Sequence, residues 1–442
     1  MAAKHVAEQR SPFIVAPLMS EKHSQVPQAS GFDSTLSFLR EGYDFISNRC
    51  DDLGTDGFET RVMLRSVLCL RGESAVSLFY GQDLFTRKGA MPPSTLRLLQ
   101  DKGSVQSLDG EAHRHRKRMF SQLLVGTPPD RMVSLFERHW RKAEEIWIAN
   151  GETELFSASN LVLTHAAWEW GGLPADTMDI DDLCDQLVGM VENAGRIGPR
   201  MWRELARRAA LERRLERLIV QLRKGEIKAA DDAPVSFITR WIDSDGNELS
   251  AKVAAVELIN LLRPIVAIGR WILFSAMALH RYPQWQIRIA AGADEWIEPF
   301  VEEVRRTYPF FPVIGGRALR PFSWGGKRFD SGQWVMLDLF STNRDARIYP
   351  DPLAIHPERA PSWRDQDFRF MPQGAGDLRK DHRCPGEWLT VSIMSSAIRL
   401  LTRDMRYQVD DQNLDMPMNR LPTRPKGGLR IRLADHTIQS AD

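Results

Sequence analysis

The sequence predicts a mainly α-helical protein with a small β region, and three features support this. Apolar residues recur with helical periodicity over long stretches, at 130–149, 200–224, 249–281, 295–308 and 384–403. The run RVMLRSVLCLRG predicts a pair of strands, and SAVSLFY after it begins a helix. Near 313–337, Gly-rich turns separate apolar runs and predict further strands. The β region therefore draws on both the N-terminal and the C-terminal parts of the chain.

The first helix is predicted in 34–48, STLSFLREGYDFISN, where Ser34 is a candidate N-cap. Its apolar residues at roughly helical spacing are Leu36, Leu39, Tyr43 and Phe45. Another predicted helix, 200–224, is rich in arginine, and its apolar stripe consists of Leu205, Leu211, Leu215, Ile219 and Leu222. Glutamates are interleaved with these arginines, which favours a solvated helix face over a nucleic-acid or membrane surface.

The 442 residues are predicted to form one large domain. No Gly/Ser-rich or Pro-rich linker divides the sequence, and it contains no internal repeat or low-complexity tract. We assign residues 1–31 to an N-terminal extension, 32–435 to the domain and 436–442 to a C-terminal tail. A hydrophobic fraction of 43% and a charged fraction of 26% suit a globular domain large enough to enclose a cofactor.

Charge and cysteine content restrict the partners and the compartment. The 59 basic and 58 acidic residues give a net charge of +1, which argues against nucleic acid as a partner. The N-terminal residues lack the apolar core of a signal peptide, and no run of 18 apolar residues predicts a membrane anchor. The four cysteines are too widely spaced for a disulfide framework, so we expect a cytoplasmic protein.

The stretch 368–388, FRFMPQGAGDLRKDHRCPGEW, places Cys384 after a Gly-rich loop and directly before a predicted helix. A cysteine at a helix N-terminus faces unpaired backbone N–H groups and the positive end of the helix dipole. Both features stabilise a thiolate, which is the form that ligates iron. From composition alone, a buried cysteine that merely precedes a helix is the alternative.

This stretch resembles the cysteine-ligand loop of cytochromes P450, and in particular that of bacterial fatty-acid peroxygenases, with the pattern FxPQGxGD…HRCxGEW. Most cytochromes P450 have Phe seven residues and Gly four residues before the cysteine, whereas this sequence has Asp377 and Lys380 there. Phe370 and Gly374 lie further back, which implies an elongated loop. The resemblance implies a cytochrome P450 fold and haem b, with Cys384 as the iron ligand.

Two further motifs resemble parts of the haem-binding core of this family. FVEEVRRTYP and the later HPERA supply Glu303, Arg306 and Arg359, which are similar to the Glu-Arg-Arg triad that braces that core. In the segment QSLDGEAHRHRKRMF, His113 and Lys117 are spaced i, i+4 and are expected to bind the haem propionates, together with His382. A metal site at His113 and His115 is the alternative, but i, i+2 spacing places these two on different helix faces.

The segment 256–270, VELINLLRPIVAIGR, is the helix expected to cross the distal face of the haem. Oxygen-activating relatives carry an acid–alcohol pair there, but this sequence has Arg263 and Pro264. Pro264 removes the helical hydrogen bond to the carbonyl of Asn260. Arg263 is a permanent cation in an apolar stretch and needs an anion, for which a salt bridge to Glu257 is one candidate.

The string RPIVAI resembles the peroxygenase clade, in which the arginine holds the carboxylate of a fatty acid. The resemblance extends from about residue 32 to 433 and implies hydrogen-peroxide-dependent hydroxylation at the α or β carbon, without a redox partner protein. Arg263, Pro264 and Gln106 are the implied catalytic residues, and the carboxylate acts as general acid–base. Within the matching motif NAGRIGPRMW, Ile197 is an implied substrate contact.

Three alternatives remain at this point. A relative that decarboxylates fatty acids to terminal alkenes has His where this sequence has Gln106, which favours hydroxylation here. A conventional monooxygenase fed by NAD(P)H through redox partners is disfavoured by the missing acid–alcohol pair. A haem sensor or carrier is disfavoured by Arg263, because a gas-binding site gains little from that cation.

Overall fold

The computed structural model describes residues 26–125, 129–360 and 368–433. Most of the predicted N-terminal extension and all of the C-terminal tail lie outside these residues. The helices in the described residues are α1 (Thr35–Glu41), α2 (Phe45–Asp52), α3 (Glu73–Tyr80), α4 (Pro93–Leu99), α5 (Gly110–Leu124), α6 (Asp130–Asn150), α7 (Leu155–Trp170), α8 (Ile180–Glu192), α9 (Pro199–Arg223), α10 (Pro234–Thr239), α11 (Ala251–Val266), α12 (Ile268–Arg281), α13 (Pro283–Ala290), α14 (Ile297–Thr307) and α15 (Glu387–Arg399).

The strands are short and form three sheets. They are β1 (Gly57–Val62), β2 (Arg65–Leu70), β3 (Phe85–Thr86), β4 (Glu152–Glu154), β5 (Val313–Ala318), β6 (Phe322–Trp324), β7 (Lys327–Phe329), β8 (Trp334–Asp338), β9 (Tyr407–Gln408) and β10 (Arg430–Leu433). The largest sheet has the order β1-β2-β8-β5-β3, in which only β2 and β8 are parallel. The predicted mainly α fold with a β region drawn from both parts of the chain is confirmed.

The predicted first helix differs from the structure because it is interrupted at Gly42. This residue has φ +57°, and a Cβ on it would lie 2.1 Å from the backbone oxygen of Met418. The side chains of Leu36 and Leu39 are 67% and 38% exposed, so the apolar stripe does not extend over α1. Ser34 precedes α1, but its hydroxyl makes a hydrogen bond with Thr60 instead of capping the helix.

The predicted helix at 249–281 is also two helices, because α11 and α12 are separated at Ala267. Pro264 lies inside α11 and has no N–H with which to bond the carbonyl of Asn260. The boundary between α11 and α12 comes three residues later, at Ala267, whose N–H still donates to the carbonyl of Arg263.

The arginine-rich helix α9 is less solvated than the sequence suggested. Arg208 is 1% exposed, and its guanidinium donates to the Glu212 carboxylate (2.7 Å) and to the backbone oxygen of Leu98 (2.6 Å). The interpretation of this helix as an outward-facing charged surface is therefore wrong for Arg208 and Glu212. They face inward because α9 packs against α11 and α4.

The hydrophobic core is built mainly by α7, α11, α12 and α15, in which α7 packs against α11 and α12, and α12 packs against α15. Almost every residue of α11 is buried, including three polar side chains, those of Glu257, Asn260 and Arg263. No helix among the described residues is both long and apolar enough to cross a membrane. Helix α11 therefore carries polar groups through the centre of the protein, next to the cavity described below.

Candidate active site

A cavity of about 230 Å³ lies between α11 and the loop that precedes α15. Helix α11 contributes Asn260 and Pro264 to its wall, and the loop contributes Cys384 from the other side. Helix α5 contributes His113 and Lys117 at the edge. The cavity thus collects residues from three of the sequence motifs that predict chemistry.

The loop before Cys384 is elongated by a hydrogen-bonded turn. The N–H of Asp377 donates to the Asp381 carboxylate at 2.7 Å. Gly374 and Gly376 have φ of +94° and +86°, and a Cβ on Gly376 would lie 2.4 Å from Asp381 Oδ2. The residues that break the usual family pattern therefore form this turn, and glycine is required where the chain enters it.

Cys384 lies three residues before α15, and its N–H donates to the backbone oxygen of Gln373 at 3.0 Å. Burial raises the pKa of the Cys384 thiol, while a hydrogen bond from the backbone N–H of Gly386 lowers it. A bound metal cation would offset the cost of burying a thiolate in this position. The other three cysteines are buried, and none of them lines this cavity.

Glu303, Arg306 and Arg359 come together beneath α14, as the triad motif predicts. The Arg306 guanidinium donates to both Glu303 oxygens, at 2.8 and 3.0 Å, and Arg359 Nε lies 3.4 Å from Glu303 Oε2. The side chains of Glu303 and Arg306 are 0% exposed. The carboxylate is thus shared by two arginines in the dry interior, and the bracing role remains a prediction.

A second ion-pair cluster, which the sequence analysis missed, connects α14 to the cysteine loop. Arg305 donates to the side chains of Glu302, Glu387 and Gln373. Glu387 also accepts from Arg383 at 2.6 Å. Glu302 and Arg305 directly precede Glu303 and Arg306 and have the same i, i+3 spacing. That spacing is the sequence signal that could have predicted this second ion pair.

The three residues predicted to bind propionates lie together. The rings of His113 and His382 are 4.0 Å apart, and Lys117 donates to the backbone oxygens of Asp381 (2.6 Å) and Arg383. Burial lowers the pKa of His113 to about 4 and that of Lys117 to about 8. Within residues 26–125, 129–360 and 368–433, none of the three basic side chains forms an ion pair with a carboxylate. The place is therefore suited to an external anion.

Arg87 is a further cation beside this group, and no sequence motif pointed to it. It is 7% exposed, stacks over Phe79 and donates from Nη1 to the backbone oxygen of Gly315 at 2.9 Å. It lines a recess that it shares with His113 and His382. Burial lowers the pKa of Arg87, so this guanidinium also gains from a nearby negative charge.

Arg263 is buried in α11 and has no carboxylate partner in the described part of the chain. Its Nη2 donates to Asn260 Oδ1 at the long distance of 3.5 Å, and its Nε is buried without a partner. The alternative of a salt bridge to Glu257 is wrong, because the carboxylate of Glu257 binds Arg116 at 2.7 Å. The guanidinium therefore lacks a counter-ion among the described residues, but Arg263 is not itself part of the cavity wall, which its neighbours Asn260 and Pro264 line.

Gln106 lies in the short 3₁₀ turn Val105–Ser107 and lines the cavity. Its Oε1 is buried and has no hydrogen-bond partner. The turn is held by the N–H of Val105, which donates to the Glu257 carboxylate at 2.8 Å. The structure thus places Gln106 at the same cavity as Cys384 and Pro264, and its catalytic role stays a prediction.

Ile197 does not reach the cavity, so the structure contradicts its predicted contact with the substrate. It is 79% exposed in the segment between α8 and α9. A Cβ on Gly195 would lie 2.5 Å from the backbone oxygen of Leu421, so the segment packs through its backbone and leaves Ile197 in solvent. The match to the motif NAGRIGPRMW locates Ile197 in the sequence but does not predict which way its side chain faces.

The alternative metal site at His113 and His115 has no support in the geometry. His115 is half-buried, and its ring nitrogens are within hydrogen-bond distance of the Ile242 backbone oxygen and of Arg118. In the part of the chain that the structure describes, no three His, Cys, Asp or Glu side chains lie close enough to hold a metal ion.

Comparison with solved structures identifies the family. Cytochrome P450SP alpha (CYP152B1), in complex with (R)-ibuprophen, is 40% identical; the match covers 91% of this chain and 98% of that chain, with a TM-score of 0.87. Cytochrome P450EX alpha (CYP152N1), with myristic acid, is 34% identical over 92% of this chain and 98% of that chain, also with a TM-score of 0.87. The chain belongs to the CYP152 family of cytochromes P450. It is therefore a cytochrome P450 oxidoreductase with a cysteine-thiolate-ligated haem.

The curated proteins found by sequence comparison are more distant relatives of this cytochrome P450. Putative cytochrome P450 137 of Mycobacterium tuberculosis (strain CDC 1551 / Oshkosh) is 23% identical over 75% of this chain and 72% of its own length. No protein-family model matches the chain. The elongated cysteine loop and the replaced acid–alcohol pair are departures from the general cytochrome P450 pattern that fit this distance.

The residues around the cavity of this CYP152 protein fit a haem. Cys384 supplies the sulfur ligand at one wall, and the opposite wall is largely apolar around Pro264. Lys117 offers a positive charge, and the imidazoles of His113 and His382, whose pKa values burial lowers, offer neutral N–H donors. Together these groups match the two propionates of haem. The donor set therefore suits an anionic, flat cofactor with a metal at its centre.

We predict that Cys384→Ala abolishes the red-shifted Soret band that thiolate-ligated haem shows when it is reduced and bound to carbon monoxide. The reason is that this band requires sulfur ligation, and Cys384 is the only cysteine at the cavity among the described residues. Cys184→Ala is the matched control and should retain the band. An unchanged spectrum in Cys384→Ala would reject the assignment of the ligand.

We predict that Gln106→His raises the fraction of terminal alkene among the products. An imidazolium can donate a proton, whereas the glutamine amide cannot change its protonation state near neutral pH. Gas chromatography of the products from one fatty acid gives the alkene-to-hydroxyacid ratio for both proteins. A ratio equal to that of the unmodified protein would leave Gln106 with a structural place only.

Proposed function

We propose that this protein is a fatty-acid peroxygenase that uses hydrogen peroxide to hydroxylate long-chain fatty acids at the α or β carbon. The observation that carries this proposal is the buried, unpaired guanidinium of Arg263 on the helix opposite Cys384. The similar protein P450EX alpha was solved with myristic acid, a long-chain carboxylic acid, which supports the choice of substrate class.

The buried positive charge of Arg263 destabilises the protein unless an anion binds it. Burial, together with the positive charge of Arg208, lowers the pKa of Arg263 to about 9. Leaving such a cation desolvated without a counter-ion costs several kcal/mol. A carboxylate that accepts from the free Nε and from the planar fork removes this cost and gains a charge-assisted pair.

The anchored carboxylate has two roles in the proposed reaction. It fixes the carbons next to it, α and β, beside the cavity wall that Asn260 and Pro264 form, so the position of Arg263 sets the regiochemistry. It is also the acid–base group: it accepts a proton from hydrogen peroxide and returns it to the departing oxygen. No protein residue of the described chain needs to perform this step, which agrees with the Arg–Pro pair at the place of an acid and an alcohol.

The other residues around the cavity bind the cofactor and exclude water. We propose that Cys384 ligates the iron and that His113, Lys117 and His382 bind the propionates. Apolar side chains of α11 such as Leu261 and Ile265 line the cavity and keep bulk water from the carboxylate. When bound, the haem supplies the oxidising chemistry by which peroxide hydroxylates a C–H bond.

The test is incubation of the purified haem protein with myristic acid and hydrogen peroxide alone, followed by mass spectrometry of the products. The proposal expects 2-hydroxy- or 3-hydroxymyristic acid with no NAD(P)H and no reductase present. A parallel incubation contains NADPH, a reductase and catalase to remove peroxide. Products in this second incubation only would show a conventional monooxygenase and overturn the proposal.

A further inference from the structure

Glu257 is a fully buried carboxylate that is hydrogen-bonded to Val105, next to Gln106, and to Asn260, next to Arg263. Its Oε1 accepts from the N–H of Val105 at 2.8 Å and from Arg116 at 2.7 Å. Its Oε2 accepts from the side-chain N–H₂ of Asn260 at 3.0 Å. Val105 precedes Gln106 in the chain, and Asn260 is the hydrogen-bond acceptor for Arg263. The Glu257 carboxylate is therefore hydrogen-bonded to the residue that precedes Gln106 and to the residue that accepts from Arg263.

The charge of Glu257 determines how the amide of Asn260 is oriented. A carboxylate only accepts hydrogen bonds, so Asn260 must present its N–H₂ to Glu257. That N–H₂ also donates to the backbone oxygen of Gln100 at 3.3 Å, which uses the second hydrogen. The amide oxygen is thus directed at Arg263, a group that can only donate.

The pairing of Glu257 leaves the charge of Arg263 unneutralised. Arg116 binds the carboxylates of both Glu257 and Asp243, so the direct ion pair of Glu257 is with Arg116 and not with Arg263. Asn260 is neutral and orients Arg263 without cancelling its charge. A carboxylate in direct contact with Arg263 would compete with the substrate, whereas this arrangement aligns the guanidinium and keeps it free.

We infer that Glu257 is a positioning residue that holds the Arg263 guanidinium and the Gln106 turn in a fixed relation, and thereby sets where a bound carboxylate lies. This inference rests on the proposed function, because it concerns the same carboxylate site. It assigns to Glu257 an effect on the recognition of the acid head group in addition to its effect on folding.

The experiment compares myristic acid with 1-tetradecanol, two ligands that differ only in the head group. Titration of the haem-loaded protein, followed by the ligand-induced shift of the haem absorption band, gives Kd for each. In Glu257→Gln, the new N–H₂ faces Asn260, whose amide then turns and presents N–H₂ to Arg263. We expect Kd for the acid to rise about tenfold, the loss for one misplaced hydrogen bond to a charged group, while Kd for the alcohol stays within about twofold.

The matched control is Glu192→Gln, which alters another buried carboxylate that binds arginines but lies outside this cavity. It should lower the melting temperature and leave the acid-to-alcohol ratio of Kd values unchanged. Asn260→Ala interrupts the same connection and should also lose the preference for the acid, which provides the test if Glu257→Gln does not take up haem.

The outcomes separate this inference from the proposed function. If the unmodified protein does not prefer the acid, the role of Arg263 fails and the role of Glu257 fails with it. If the unmodified protein prefers the acid and the altered proteins keep the full preference, the positioning role is overturned and the proposed function stands. A lower preference in Glu257→Gln or Asn260→Ala, but not in Glu192→Gln, supports the inference.

Discussion

Arg263→Ala is expected to lose fatty-acid binding and peroxide-driven turnover together. Truncation of one partner of a buried charge pair costs about 2–5 kcal/mol, which corresponds to roughly one and a half to four orders of magnitude in kcat/KM. The loss should appear in kcat as well as in KM, because the carboxylate is also the proposed acid–base group. Initial rates over a range of myristic acid concentrations at fixed peroxide measure both constants.

Arg263→Lys is the companion variant. It keeps the positive charge but lacks the planar fork, so it should recover only part of the lost activity. Haem content and the carbon monoxide spectrum should be normal in both variants, because Arg263 has no contact with the cysteine loop among its hydrogen bonds in the described residues. Turnover by Arg263→Ala at the rate of the unmodified protein would contradict the proposed mechanism.

Glu303→Ala is expected to give little folded haem protein. Its carboxylate is 0% exposed and binds both Arg306 and Arg359, so its removal takes away the carboxylate that these two cations share. Breaking a buried ion pair on one side costs about 3–5 kcal/mol, a large share of the stability of a typical domain. The yield of protein with a haem spectrum and its melting temperature report the effect.

Asp410→Ala is a suitable control for Glu303→Ala, because it removes a carboxylate from an ion pair with Arg432 in which both side chains are 56% exposed. Exposed pairs contribute about 0–1 kcal/mol, so this variant should melt close to the unmodified protein. Normal haem content and melting in Glu303→Ala would show that the triad does not brace the core.

Much of the fold was accessible from local patterns in the sequence, whereas the predicted site residues came from the resemblance of short motifs to a known family. The Cys384 loop and the spacing of Glu303 and Arg306 lie within short stretches, where the residue order alone implies the geometry. The Arg359 contact was added by resemblance, and the structure brings this residue within 3.4 Å of Glu303. Helix boundaries failed where a contact distant in sequence decides them, as at Gly42.

The partners of buried charges were harder to predict because they come from distant parts of the chain. Arg208 is buried by a contact with Leu98, 110 residues away, and Arg87 by a contact with Gly315, 228 residues away. Glu257 is not the partner of Arg263, because i, i+6 spacing places the two on different helix faces. The structure instead places Asn260 between them, at i, i+3 from each.

The central claim is that the substrate carboxylate, held by Arg263, is the acid–base group. The most direct test uses a substrate of similar apolar character without a carboxylate, such as an alkylbenzene, with hydrogen peroxide. The claim predicts slow oxidation by the unmodified protein, a clear rate increase on addition of a short carboxylic acid, and no increase in Arg263→Ala. Fast oxidation without any acid, or equal stimulation of Arg263→Ala, would contradict it.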